Sequence, residues 1–131
     1  MIIRNSGPED LPQLVALSPP EVKPTIQFRV YPTLVAETED GTLAGYTQFC
    51  LTPDGILHSL AIRIGARWKG KGVGQSLMEE KLRLARDAGA TMHIYAVAQD
   101  GEVALKKILE RLGMHACQRR GDVIVYMQDL A

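Results

Sequence analysis

The sequence predicts an α/β protein of the α+β kind, a mixed sheet with helices on both faces, built as one domain over residues 1–131. Three observations carry this. Turn signals at Asp40-Gly41 and Pro53-Asp54-Gly55 separate three β-rich runs with no helical run between them. Two amphipathic runs later in the chain each stop at a glycine, Gly89 and Gly113. The resulting order is strand, helix, meander, helix, strand, helix, strand pair. That order differs from the strict alternation of an all-parallel dinucleotide-binding sheet.

Each element follows from its residues. Met1 to Arg4 ("MIIR") reads as a short strand. "GPEDLPQLVAL" reads as a helix, with Pro8 in its first turn, early acids Glu9 and Asp10, and apolar Leu11, Leu14, Val15 and Leu17. "SPPEVKPTIQFRVYP" carries four prolines, so it reads as an irregular connector with one short extended piece. "TLVAETEDGTLAGYTQFCL" is a hairpin, and "DGILHSLAIRI" is the next strand. A glycine-rich stretch then opens a helix with Val73, Leu77, Met78, Leu82 and Ala85 on one side. "TMHIYAV" is a strand, "GEVALKKILERLG" a second amphipathic helix, and "DVIVYMQ" a last strand with "HACQ" as its hairpin partner.

Composition narrows the function classes. Hydrophobic residues make up 46% of the chain and charged residues 23%, as in an ordinary globular domain. Fifteen basic and fifteen acidic side chains cancel. That argues against nucleic acid as a partner, which normally requires a basic excess. No apolar run reaches membrane-spanning length and the amino terminus is not a signal peptide, so no membrane partner is expected and the default compartment is cytoplasmic. Cys50 and Cys117 lack metal-ligand or CxxC spacing, and a free cysteine is most often buried, so both are expected to be buried free thiols. No metal site is expected.

The chemistry concentrates in "RWKGKGVGQSLM", Arg67 to Met78. The triphosphatase loop GxxxxGK(S/T) fits Gly65 to Lys71, but Gly72 stands where a magnesium-binding hydroxyl is needed. The dinucleotide fingerprint GxGxxG fails because Gln75 occupies the third glycine's place. A third pattern fits: Arg67-Trp68-Lys69-Gly70-Lys71-Gly72, followed by Val73-Gly74, resembles the (Arg/Gln)xxGx(Gly/Ala) loop of the GNAT N-acetyltransferase superfamily. Its physics is independent of the name. Glycines let successive amides converge on phosphate oxygens, and the helix start adds its free amides and positive dipole end. Arg67, Lys69 and Lys71 add complementary charge.

The resemblance extends over six ordered segments: Ile3-Arg4 with Glu9-Asp10-Leu11; Leu34 to Glu37 leading to Gly45; Ile62-Arg63-Ile64; the loop with Leu77-Met78; Ala85, Gly89-Ala90, Met92, Ile94 and Val97; and Leu109 to Met114. It implies a GNAT-like acyl-CoA N-acyltransferase fold with acetyl-CoA as cofactor and an amine as acceptor. By that resemblance, backbone groups of Ile62, Arg63 and Ile64 hold the thioester arm. Arg67, Lys69, Gly70, Lys71, Gly72, Val73, Gly74 and Gln75 hold the pyrophosphate. The amine attacks the thioester directly, without a covalent enzyme adduct, and one strand N–H faces the thioester carbonyl. Such a donor is worth about 3–4 kcal/mol.

A lysine-like acceptor is less than about one part in a thousand neutral at pH 7, so a base is useful. His58 is the candidate, lying on the strand before the loop with the parity of Ile62 and Ile64. The competing reading is a half-buried strand histidine without a catalytic role. His93 and His115 have weaker claims. The family's thiolate-protonating tyrosine is missing. Anchored on Gly113, Leu109 takes its place and Glu102 that of a helix-start asparagine; anchored on Ala104, these become Ile108 and Gly101. Tyr95 and Tyr126 are substitutes by residue type only. The short connector also leaves the acceptor side open, which suits a protein terminus, a lysine tail or a wall borrowed from a second copy in a homodimer, and equally suits degeneration. Two readings follow: an acetyl-CoA-dependent N-acetyltransferase, or a CoA-binding sensor that keeps the cleft without the chemistry.

Overall fold

The computed structural model describes residues 1–19, 28, 30–99, 101 and 103–131. Seven strands follow the hydrogen-bonded order β1-β2-β3-β4-β5-β7-β6. They are β1 (Ile2–Asn5), β2 (Thr33–Glu37), β3 (Leu43–Leu51), β4 (Ile56–Ile64), β5 (Met92–Ala98), β6 (His115–Arg120) and β7 (Val123–Asp129). The helices are α1 (Leu11–Leu17), α2 (Val73–Asp87) and α3 (Val103–Arg111). The β4–β5 pair is parallel, whereas β1–β2, β2–β3, β5–β7 and β6–β7 are antiparallel. This is the expected mixed sheet flanked by helices. By compactness the chain divides into two units, Met1–Phe49 with Ala61–Lys81, and Cys50–Leu60 with Leu82–Ala131.

In the first unit, Gly41 reaches φ 87° and closes the β2–β3 hairpin, its N–H donating to the Thr38 carbonyl at 3.0 Å. Only a residue without a β-carbon takes that conformation at little cost. Leu14, Val35, Leu43 and Tyr46 form a buried cluster, with Leu17, Phe28 and Ala61 packed against it. The Phe28 ring meets Tyr46 edge-on at 5.2 Å. Most of the proline-rich connector lies outside the described residues. Phe28 and Val30 within it are helical, and the expected extended piece is not located among the described residues.

Arg4 ties β1 to the turn before α1. Its guanidinium donates to both Asp10 oxygens at 2.8 and 2.9 Å and to Glu37 at 3.3 and 3.1 Å. Hydrogen bonds from Arg4 hold the buried Asp10 carboxyl below its usual range, against the opposing effect of burial.

In the second unit, β4 pairs with β5 from Ile56↔Met92 to Ser59↔Tyr95. Gly89 and Gly113, both at φ 90°, end α2 and α3 alike. Ala90 N–H reaches the Ala85 carbonyl and Met114 N–H the Leu109 carbonyl, the paired-bond arrangement of a left-handed helix stop. The β6 strand is longer than "HACQ" and exposed along its whole length. It corrects one expectation: Cys117 is exposed, and Cys50 is half-buried. The β6–β7 register shifts between Ala116 and Gln118, so Cys117 is the bulged residue, its thiol directed to the Val125 carbonyl at 3.3 Å. An edge strand with a bulge offers no interior for a thiol.

Among the described residues no helix is long and apolar enough to cross a membrane, and no cluster of three or more His, Cys, Asp or Glu could hold a metal ion.

Candidate functional site

The residues expected to hold the cofactor, Ile62 to Gln75, all fall in the first unit, on the end of β4, a tight loop and the start of α2. Gly65 turns the chain out of the strand, its N–H donating to the Ala44 carbonyl at 2.8 Å. A single 3-10 turn over Ala66–Trp68 follows. Gly70 and Gly72 then adopt φ of 76° and 84°. A β-carbon built on either glycine would have nothing within 4 Å, so both border open space.

The helix starts at Val73, and the Ser76 N–H is bonded to the Gly72 carbonyl at 3.0 Å. The Val73, Gly74 and Gln75 amides come before that bond and therefore have no partner inside the helix. They sit at its positive dipole end.

Charge lines the same loop. Arg67 Cζ and Lys71 Nζ approach the Trp68 ring at 5.3 and 5.4 Å, each in cation–π range of one indole. Arg67, Lys69 and Lys71 are exposed. The Gln75 side chain instead donates to Glu79 at 2.9 Å along the helix, which leaves its backbone amide as the group for a ligand. Ile62 is buried and Ile64 half-buried, while Arg63 is exposed and donates to the Ile62 carbonyl at 3.2 Å. Two open left-handed glycines, three free helical amides and flanking cations suit a diphosphate.

The strand end is held closely from β3. A β-carbon at Gly45 would lie 2.7 Å from the Arg63 carbonyl oxygen and 2.8 Å from Ile64 Cδ1. Gly45→Ala is therefore expected to displace the end of β4 and destabilise the fold by about 1–3 kcal/mol, read from its urea midpoint. An unchanged midpoint would show that β4 yields there freely.

One residue of this region escapes sequence reasoning. Lys81 is 0% exposed on α2. Its ammonium donates to Thr47 Oγ1 at 2.8 Å, and that hydroxyl donates to the Ala61 carbonyl at 2.9 Å. Desolvation pushes the Lys81 pKa down to about 7. The signal is present in the spacing: Lys81 lies four residues after Leu77 and four before Ala85, inside the apolar stripe.

The proposed catalytic groups are placed differently. His58 lies in the second unit, half-buried and opposite Ile94 in register. Its shared parity with Ile62 and Ile64 loses its meaning, because burial along β4 alternates on Leu57 and Ser59 and then shifts phase to Ile62. His93 is fully buried, with Nε2 2.6 Å from Ser59 Oγ, which is a core histidine. His115 is exposed on β6. Tyr95 and Tyr126 are both buried and face each other in the β5–β7 ladder. Leu109 is buried; Gly101 and Ile108 are partly so, and Glu102 lies outside the described residues.

Residues 9–114 match the family model described as Acetyltransferase (GNAT) family. The chain belongs to that family. The GNAT match takes in the loop and all of α2 and β5, and stops before β6. No curated protein matches the sequence. Among solved structures, the GNAT chain is similar to ribosomal-protein-S18-alanine N-acetyltransferase from Escherichia coli, with 18% identity, TM-score 0.84, and 99% of this chain and 94% of that one covered. It is also similar to yncA from Salmonella typhimurium, solved with its cofactor acetyl-CoA, at 17% identity and TM-score 0.83 over 100% and 94% of the two chains. IAA acetyltransferase from Bacillus cereus gives 15% identity and TM-score 0.80 over 98% of each chain. At such identities the likeness is one of fold.

Proposed function

We propose that this GNAT chain transfers an acetyl group from acetyl-CoA to a primary amine by direct attack, in a cytoplasmic setting. The open cradle formed by Gly70, Gly72 and the first amides of α2 carries this reading. In it, the amides from Lys69 to Gln75 receive the pyrophosphate, with Arg67, Lys69 and Lys71 supplying charge. The backbone of Ile62 to Ile64 aligns the acyl arm, and the Ile62 N–H is the donor for the acyl carbonyl oxygen. Bound acetyl-CoA supplies the acyl group as an activated thioester. His58 is the proposed base for the acceptor ammonium.

The direct test is a thermal-shift titration with acetyl-CoA, which should raise the melting temperature because the ligand binds only the folded state. At a hundred times Kd the gain is about 2.7 kcal/mol. No shift up to millimolar acetyl-CoA would remove the proposal. Release of free CoA in the presence of polyamines, amino acids, aminoglycosides and protein amino-terminal peptides then separates an enzyme from a CoA-binding sensor.

For an acceptor that passes this screen, His58→Ala should lower turnover about ten- to a thousandfold, while acetyl-CoA affinity stays the same. An alanine variant with full turnover makes His58 a structural residue.

A further inference from the structure

We infer that Lys81 and Thr47 form a relay that polarises the Ala61–Ile62 peptide, making Lys81 a positioning residue for the acyl carbonyl at the Ile62 amide. The inference rests on the proposed use of that amide. The relay itself is two hydrogen bonds long: Lys81 Nζ to Thr47 Oγ1 at 2.8 Å, then Thr47 Oγ1 to the Ala61 carbonyl at 2.9 Å. A threonine hydroxyl has one proton. Because the Ala61 carbonyl can only accept, that proton goes to it, and the Thr47 oxygen accepts in turn from the Lys81 ammonium. The direction of the chain is therefore fixed, from amine to hydroxyl to carbonyl.

The carbonyl of Ala61 and the N–H of Ile62 belong to one planar peptide unit and point in opposite directions. Drawing electron density towards the oxygen leaves the N–H a stronger donor on the other side. Hydrogen bonds in series polarise one another, and an amine at the head of the series adds to this in a low-dielectric interior. Thr47 and Lys81 are each 0% exposed, so water does not compete for the relay. A merely space-filling side chain at this point of α2 would be met better by leucine or methionine, since burying an amine is unfavourable. Here the amine is instead aimed, through one hydroxyl, at the peptide that precedes the cofactor-binding loop.

The test reads the carbonyl itself and needs no acceptor. Isotope-edited infrared spectroscopy of carbonyl-labelled acetyl-CoA bound to the full chain, at mildly acidic pH, should show a stretch below that of the free thioester. Lys81→Met and Thr47→Val each keep the side-chain volume and break the relay, so each should move the band back towards the free position. Thr47→Ser retains the hydroxyl and should restore the wild-type band. Calorimetric affinity for acetyl-CoA should change little in all three, because the phosphate cradle is untouched. If wild-type protein gives no bound band, the acetyl-CoA reading falls and the relay with it. If wild type gives a displaced band and both relay-breaking variants keep it unchanged, the relay alone is overturned. Thr47→Val gives an independent answer because it breaks the relay while Lys81 stays in place.

Discussion

Replacing Gly72 with aspartate is expected to weaken acetyl-CoA binding by at least about a hundredfold, or 2.7 kcal/mol, in a protein that still folds. Two effects must be separated. Gly72 sits at φ 84°, where a residue with a β-carbon costs about 1–2 kcal/mol, aspartate and asparagine being the more tolerant. No protein atom lies within 4 Å of a β-carbon built there, so no clash is added to that cost. The larger effect falls on the ligand. A carboxylate would enter the open space that the proposed pyrophosphate occupies, and the repulsion is about 1 kcal/mol per charge pair at 4 Å in water and about 4 at an effective dielectric of 20. Gly72→Ala carries the conformational cost without the charge and should keep more of the affinity. Calorimetry on both variants, with melting curves of the free proteins, makes the comparison. A folded aspartate variant with wild-type affinity would falsify the phosphate role and leave the loop a mere turn. Raising the salt should reduce the gap between aspartate and alanine, because this part of the effect is screened.

The loop was readable in the sequence because backbone geometry dictates its composition. Gly41, Gly55, Gly89 and Gly113 mark turns or helix ends in the sequence, and each has φ between 86° and 90° in the structure. Gly70 and Gly72 belong to the same class. Where the chain must take a left-handed conformation, few residue types serve, and the sequence shows it. Side chains carry weaker constraints. Cys117 has one apolar neighbour, Ala116, and is followed by Gln118, Arg119 and Arg120, a polar run that marks an exposed edge strand and outweighs the usual burial of a free thiol. The parity that linked His58 to Ile62 assumes an unbroken pleat, and one change of phase in β4 undoes it. A lone histidine on a strand has no spacing partner to test it against, so its role stays with the proposal. Lys81 was hidden for the opposite reason. Its charge suggests a solvated face, while its place in the apolar stripe of α2 dictates burial, and the stripe prevails.

Lys81→Met is expected to stabilise the free protein at neutral pH by several kcal/mol and to flatten its dependence on pH. The folded pKa of Lys81, about 7, lies below the ordinary lysine value of 10.5, because burial disfavours the charged form. Between those two values the unfolded chain binds more protons than the folded one. Stability therefore rises with pH across that window, by at most about 1.4 kcal/mol per pH unit. Below about pH 7 both states are protonated and the full penalty stands; above 10.5 both are neutral and none remains. The whole window amounts to a penalty on the order of 4–5 kcal/mol. Methionine has similar length and no charge to desolvate, so it removes the penalty and gives up the amine's own interactions, among them the hydrogen bond to Thr47, worth about 1 kcal/mol. Lys81→Arg should act in the opposite sense, since a guanidinium cannot escape burial by losing its proton. Urea unfolding of the three proteins at a series of pH values from about 6 to 10 decides the matter. A methionine variant less stable than wild type, with a parallel pH curve, would mean that the Lys81 ammonium is well compensated where it lies. If methionine stabilises the fold and also releases the bound acyl carbonyl from its displaced frequency, the chain retains an amine that weakens its core because that amine acts on the Ala61–Ile62 peptide, the exchange of stability for function expected of a residue kept for its chemistry.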